Sequence, residues 1–402
     1  MGKTLEYAGS RIGKDLFVGK GKPTRRAYGF DEISLVPGSE TLDPELCDIS
    51  TTLGGHKLEV PILASAMDGV VDVKVAGIFG KLGGLAVLNL QGIHTRYENT
   101  EDAYNEITSC DKESFVTVMQ KIYSKPMNEA LIGKRVEEIK AQGVAAAVSI
   151  TPNMAEKYGP IAKEAGLDIV FVQSTVTGIE HRSQSGDPSL NLEKYCKSIG
   201  LPVVVGNCVA YRTALELMET GVAGILVGVG PGAACTSRGV LGIGVPMATA
   251  IADCFAAAQT YADRIKGQAP LIIADGGMVT SGDICKAIAC GADAVMIGSP
   301  LARAKEAPGR GFHWGMATPS PVLPRGTRIN VGTTVALEKI INGPADVDDG
   351  TQNLTGALKT SMGTLGAPDL EAMKDVEVII APSILTEGKV YQSAQNLGMG
   401  RI

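Results

Sequence analysis

The sequence predicts an α/β protein built as a single closed (β/α)8 TIM barrel. Three observations predict it: eight short apolar runs spread along the chain, helix-like stretches between them, and a polar or glycine-rich residue at the C-terminal end of each run. Apolar runs this short, spaced by amphipathic helices, read as parallel strands covered on both faces. An open doubly wound sheet is the alternative arrangement of the same pieces.

The runs come in order. Val60 to Ala64 ends at Ser65, and Leu85 to Leu88 ends at Asn89. After a mostly helical stretch to Gly143, Ala145 to Ile150 ends at Thr151 and Ile169 to Val172 at Gln173 and Ser174. Val203 to Val205 leads to Asn207, and Gly224 to Val227 opens into a glycine-rich loop around Cys235. Leu271 to Ala274 ends at Asp275, Gly276 and Gly277, and Ala294 to Ile297 at Gly298 and Ser299. Helical patterns separate them, among them 134–142, 212–219 and 247–258. Singly, each terminal residue also reads as a turn former or cap. In a barrel all eight strand ends open on one face, so together they would line one pocket.

Composition narrows the function. The 402 residues carry 50 glycines, 45% hydrophobic and only 4% aromatic residues, which suits an α/β enzyme with many tight βα turns. A net charge of −6 argues against a nucleic-acid or anionic-membrane surface, since both need basic patches. There is no signal-peptide pattern and no run of about 18 apolar residues, so the expected location is cytoplasmic. The eight cysteines form no CxxC pair and no zinc-type cluster; most read as reduced core thiols.

Cys235 is the exception. Its loop, 228–246, lies between the sixth run and a helix, where a thiol can be exposed and where N–H dipoles and Arg238 would favour the thiolate. Glycines at 228, 230 and 232 let carbonyls converge on a ligand or cation. The competing reading is a packing loop with an inert thiol. The turns at Gly277 and at Gly298 with Ser299 look like a phosphate grip at the seventh and eighth strand ends. Asp275 lies too close to that grip to welcome a phosphate charge and reads as an acceptor for a ribose diol, or as a cap. Residues 308–335 hold the only Trp, three closely spaced prolines and few helix formers, and read as a mobile flap. A closing helix follows at 354–362. The expected layout is an N-terminal extension at 1–24, the catalytic barrel at 25–390 and a tail at 391–402.

These pieces resemble the IMP dehydrogenase and GMP reductase superfamily over roughly residues 24 to 390. The resemblance rests on Tyr28-Gly-Phe-Asp-Glu-Ile-Ser-Leu-Val-Pro37, Pro61-Ile-Leu-Ala-Ser-Ala-Met-Asp68, Gly83-Gly-Leu-Ala-Val-Leu88 and Val227-Gly-Val-Gly-Pro-Gly-Ala-Ala-Cys-Thr-Ser-Arg238. Ala274-Asp-Gly-Gly277, Ser281-Gly-Asp283 and Ala292-Asp-Ala-Val-Met-Ile-Gly-Ser299 complete it. The family's usual pair of CBS modules would fall between Asn89 and Gly143, which leaves no room for them, so the chain resembles the CBS-less branch.

The resemblance implies NAD-dependent oxidation of IMP to XMP through a covalent Cys235 thioimidate, with Ser237 keeping the hydroxyl of the family's threonine. It implies Arg325, with Arg328 second, as the flap base that activates the hydrolytic water. Ser65, Met67, Asp275, Gly276, Gly277, Gly298, Ser299, Gly315 and Met316 would hold IMP; Ser174, Thr175 and Asn207 would face NAD. The carbonyls of Gly230, Gly232 and Cys235 resemble a potassium site. The implied assembly is a homotetramer, with an octamer as the alternative. Four departures stand out: Ala233 in place of a phosphate-binding serine, Gln173 in place of an aspartate near the NAD ribose, Leu226 in place of a basic residue, and a shortened flap. The alternatives are a GMP reductase, where Val331 stands at the position matched to its proton-transferring glutamate, and a non-catalytic purine-nucleotide-binding regulator.

Overall fold

A computed structural model describes residues 16–181, 189–384 and 386–398; the rest of the expected N-terminal extension and the last residues of the tail lie outside them. The eight expected runs are the eight strands of a closed parallel barrel. They are β1 (Ile62–Ala64), β2 (Leu85–Asn89), β3 (Ala147–Ile150), β4 (Ile169–Gln173), β5 (Val203–Cys208), β6 (Gly224–Val227), β7 (Leu271–Asp275) and β8 (Ala294–Ile297). β8 closes on β1 with Val295 beside Ile62 and Ile297 beside Ala64, which rules out the open sheet.

Alternation along each strand builds two cores. Leu63, Leu85, Val87, Ile169, Phe171, Leu226, Ile273 and Met296 point inward and fill the barrel, and Leu53 and Leu58 of a short hairpin plug its lower end. The intervening residues, such as Ile62, Leu88, Val170, Val205 and Val295, face the helices. The inward phase continues past the apolar layers to Asn89 on β2, Gln173 on β4 and Asp275 on β7, two residues beyond Val87, Phe171 and Ile273. The polar floor of the upper mouth is therefore the top layer of the barrel itself.

The helices are α1 (Val73–Lys81), α2 (Glu101–Ser109), α3 (Phe115–Ser124), α4 (Glu129–Lys140), α5 (Pro152–Glu164), α6 (Leu192–Ile199), α7 (Tyr211–Met218), α8 (Ser237–Leu241), α9 (Met247–Ile265), α10 (Ser281–Ala289), α11 (Ser299–Ala302), α12 (Leu337–Asn342), α13 (Leu354–Leu365), α14 (Leu370–Lys374) and α15 (Val390–Gln395). Several start on a side-chain cap that satisfies an orphan amide: Asp72 accepts from Val75, Asn128 from Ala130 and Asn191 from Lys194. After α14, Val378–Ile380 pairs antiparallel with Ile33–Leu35, tying the C-terminal segment to the N-terminal one.

Between β2 and β3 the chain forms α2, α3 and α4 where the family's CBS modules would sit. α2 and α3 enclose a satellite core of Ile93, Tyr104, Ile107, Phe115, Met119 and Ile122, and Trp314 of the flap inserts into it. The flap is docked: Phe312–His313 pairs with Ile329–Asn330, and Trp314 is 2% exposed.

Candidate active site

The upper mouth of the barrel holds a cavity of about 1000 Å³, at the upper end of what small-ligand sites enclose. Ser65, Met67, Ser174, Thr175, Asn207, Gly230, Gly232, Cys235, Asp275, Gly276, Gly277, Gly298, Ser299, Gly315, Met316 and Arg325 all line it. Residues up to 260 positions apart in sequence thus share one wall, as the strand-end pattern predicts.

Cys235 is half-buried in the turn that enters α8, its amide donating to Gly232 O at 3.0 Å. Its thiol donates to Ser237 Oγ at 3.3 Å, and Ser237 is fully buried beneath it. The hydroxyl can reverse its role and donate to a thiolate. Arg238, expected beside the sulfur, instead sends Nε to Val229 O at 3.3 Å and Nη2 to Val245 O at 2.9 Å. Its role here is to brace the two limbs of the loop. Burial pushes three thiols elsewhere in the fold, Cys196, Cys285 and Cys290, each up to about 11.

The turns expected to grip a phosphate present unpartnered amides. Gly276 and Gly277 both take positive φ, 79° and 77°, and Gly276 N donates to Met296 O at 3.0 Å. The amides of Gly277, Gly298 and Ser299 have no hydrogen-bond partner among the described residues. A Cβ at Gly298 would lie 2.8 Å from Met67 Sδ, so a side chain there would have to displace the methionine. Ser299 Oγ meets His313 Nε2 at 2.9 Å. Burial pushes the His313 pKa down to about 4, so the ring is neutral near pH 7. The sequence reading missed His313; no local pattern links it to Ser299, and only the docked flap brings them together.

Asp275 accepts from Asn207 Nδ2 at 2.7 Å and Gln173 Nε2 at 3.1 Å, both at Oδ2, while Ser149 Oγ donates to Gln173 Oε1 at 3.0 Å. Burial raises the Asp275 pKa to about 6, and the two amide donors offset only part of that rise. Asn207 lines the cavity as expected, but its side chain orients Asp275. Gln173, the departure from the family's aspartate, serves the same carboxylate. Ser174 Oγ donates to Val176 O at 2.8 Å and shapes its own turn.

The flap runs beside the cysteine loop. Thr236 N donates to Arg325 O at 3.4 Å and Thr327 N to Ala234 O at 2.9 Å, which sets Gly326 opposite Cys235. Arg325 Nε is buried and unpartnered at the cavity wall. Arg328, the second candidate base, is corrected: its guanidinium donates to Ile107 O and, at 2.8 Å, to Cys110 O, and stacks 5.1 Å from Phe115 and 4.7 Å from Phe312. It fastens the flap to the α2–α3 core and is unavailable for chemistry. A buried network extends that fastening: Trp314 Nε1 donates to Tyr123 Oη at 2.8 Å, and Tyr123 donates to Asp68 at 2.5 Å.

A half-buried cysteine and a set of unpartnered amides at glycine-rich turns line one cavity at the mouth of a (β/α)8 barrel. Residues 27–318 match the family described as the IMP dehydrogenase / GMP reductase domain, and the chain belongs to that family. An uncharacterized oxidoreductase of Mycobacterium leprae is 40% identical over 374 residues, covering 90% of this chain and 99% of that protein. An inosine-5'-monophosphate dehydrogenase of Cryptosporidium parvum is 30% identical over 404 residues, covering 90% and 94%. The crystal structure of an IMP dehydrogenase/GMP reductase-like protein of Corynebacterium glutamicum superposes with a TM-score of 0.87 at 34% identity, covering 91% and 97%. No helix among the described residues is long and apolar enough to cross a membrane.

Proposed function

We propose that this oxidoreductase is an IMP dehydrogenase that oxidises the purine at C2 with NAD. The observation that supports it most is Cys235, backed by Ser237, on the wall of the cavity that also holds the unpartnered amides of Gly277, Gly298 and Ser299. A 5'-phosphate on those amides and a ribose on the free Oδ1 of Asp275 would bring the purine toward the sulfur, between Met67 and the Gly315–Met316 edge.

The Cys235 thiolate adds to C2, and the C2 hydrogen leaves with its electron pair to the nicotinamide ring of NAD. The product is a thioimidate, with the C2=N bond restored and Cys235 bound. Water then adds to C2, the C–S bond breaks, and XMP and the free thiol result. Arg325, on the flap wall of the cavity, would take the water's proton if it acts as the neutral guanidine. Ser174 and Thr175 lie on the wall where NAD would enter.

A potassium ion suits the cysteine loop. The carbonyls of Gly230 and Cys235 have no amide partner among the described residues, and Gly232 O accepts only the Cys235 amide. Neutral oxygens match a monovalent cation, which would hold the loop's carbonyls together. All eight cysteines are free, which fits a reducing cytoplasm. Against the GMP reductase reading, Val331 is an apolar side chain packed on the core and can move no proton.

The test is turnover followed at the nicotinamide absorbance band with IMP plus NAD, GMP plus NADPH, and XMP plus either reduced cofactor. Absorbance growth in the first arm is the expected result. Consumption confined to the second or third arm would keep the covalent cysteine and overturn the direction; silence in all arms would leave a nucleotide-binding regulator.

A further inference from the structure

The cavity extends beyond the groups assigned to IMP, to a wall supplied by the segment between β2 and β3. Among its lining residues the only Asp, Glu, Lys or Arg side chains are Asp275, Arg325 and Arg96. Asp275 belongs to the ribose and Arg325 to the flap. Arg96 has no part in the chemistry described above. It follows β2, two strand positions round the barrel from the end of β8 and three from the end of β7, which carry the amide cradle. Arg96 and that cradle therefore follow different strands of one mouth.

Arg96 is held and still has capacity to bind. Its Nε donates to Gln91 O at 3.1 Å and its Nη1 to Lys125 O, and the guanidinium lies 5.9 Å from the centre of the Tyr123 ring. Its Nη2 has no partner among the described residues, and no carboxylate there lies within ion-pair distance. The wall beside it runs from Asn89 through Gln91 and Thr151 to Gln173, with the Asp275 carboxyl bonded behind Gln173 and the Asp68 carboxyl behind Tyr123. A half-buried, pre-oriented guanidinium with a spare donor and no ion-pair partner among the described residues matches an anion, and a planar fork suits phosphate oxygens best.

We propose that Arg96 forms a second phosphate subsite, separate from the IMP cradle, which recognises the phosphate groups of the dinucleotide. This rests on the reading that a nicotinamide dinucleotide enters this cavity. Two sources carry the same chemistry: the diphosphate bridge common to NAD and NADP, or the ribose monoester of NADP alone. Gln173 in place of a carboxylate takes one negative charge off this wall and leaves Asp275 bonded behind its amide.

Trp314 is the only tryptophan in the chain, and its indole nitrogen is bonded to the tyrosine that Arg96 overlies, so its fluorescence reports this wall directly. The experiment titrates the full chain with ADP-ribose, with adenosine 2',5'-bisphosphate and with IMP, in the wild type, Arg96→Gln and Arg96→Lys. A charge-assisted phosphate contact predicts weakening by about 10- to 100-fold in Arg96→Gln, partial recovery in Arg96→Lys, and unchanged IMP affinity. Loss for ADP-ribose alone assigns the diphosphate, and loss for the bisphosphate alone assigns the monoester. If both fragments bind wild type and Arg96→Gln equally, the subsite is overturned while the dinucleotide reading stands. Binding of neither fragment to the wild type would overturn both. Loss of IMP affinity in step with the others would show a collapsed wall and overturn the assignment.

Discussion

Replacing Asp275 with Asn tests the electrostatics of the site. Both amide donors converge on Oδ2, and an asparagine carbonyl can accept both, so the geometry survives the change. The folded pKa of about 6 stands above the ordinary 3.8, which means the native state resists ionising this carboxyl. Stability from such a group is fully present below the unfolded pKa and is lost as pH rises through about 6. The rise of about 2 units corresponds to about 3 kcal/mol at 1.36 kcal/mol per unit. Asp275 keeps some contact with the water-filled cavity, and solvent screening lowers the figure to about 1–2 kcal/mol. Near pH 7.5 the asparagine variant is therefore the more stable protein. At about 2.1 cal/mol/K per residue its Tm should rise by roughly 1–3 °C, and the gain should shrink toward pH 4.5. The same variant should bind IMP about tenfold more weakly, through loss of charge-assisted bonds to the ribose. Thermal unfolding at the two pH values is the assay. A Tm gain of equal size at both, or a fall near pH 7.5, would refute the account of a carboxylate strained by burial.

Three further outcomes follow from the site and its fastening. Cys235→Ala should abolish the nucleotide-sized mass adduct seen on trapping during turnover while IMP still binds, measured by intact mass and titration. Arg325→Ala should leave the first hydride transfer at its normal rate and slow thioimidate hydrolysis by about 10² or more, a split read by single-turnover kinetics. Arg328→Ala removes two carbonyl bonds and a guanidinium wedged between Phe115 and Phe312, so it should cost about 2–4 kcal/mol locally and speed proteolysis of the flap, with IMP affinity little changed.

The barrel was legible because one rule generates it. Each strand's apolar run is the outward and inward alternation of a doubly covered strand, and the first polar residue in the inward phase marks the cavity floor. Asn89, Gln173 and Asp275 were readable from that phase alone. What contacts what at the mouth was not readable. That Arg238 braces loop carbonyls, or that Asn207 and Gln173 serve Asp275, depends on side-chain reach across three strands, which periodicity does not encode. The pairing of Ser299 with His313 depends on how the flap docks, and the flap has no repeat from which to infer its path.

The flap's docking has its own physical logic. Backbone bonds tie the flap to the cysteine loop and to Gly69, and side chains fasten its other face. Here the determinants lie in α2 and α3: a core that takes Trp314, carbonyls that take Arg328, and Gln120, whose Nε2 donates to Ser320 O at 3.2 Å. The same two helices carry Tyr123 into the cavity wall beneath Arg96. A ligand that engages Arg96 therefore presses on the element that fastens the flap, and a flap that moves must first release Trp314 from Tyr123. The wall at Arg96 and the flap thus share Tyr123, whose ring Arg96 overlies and whose hydroxyl Trp314 bonds.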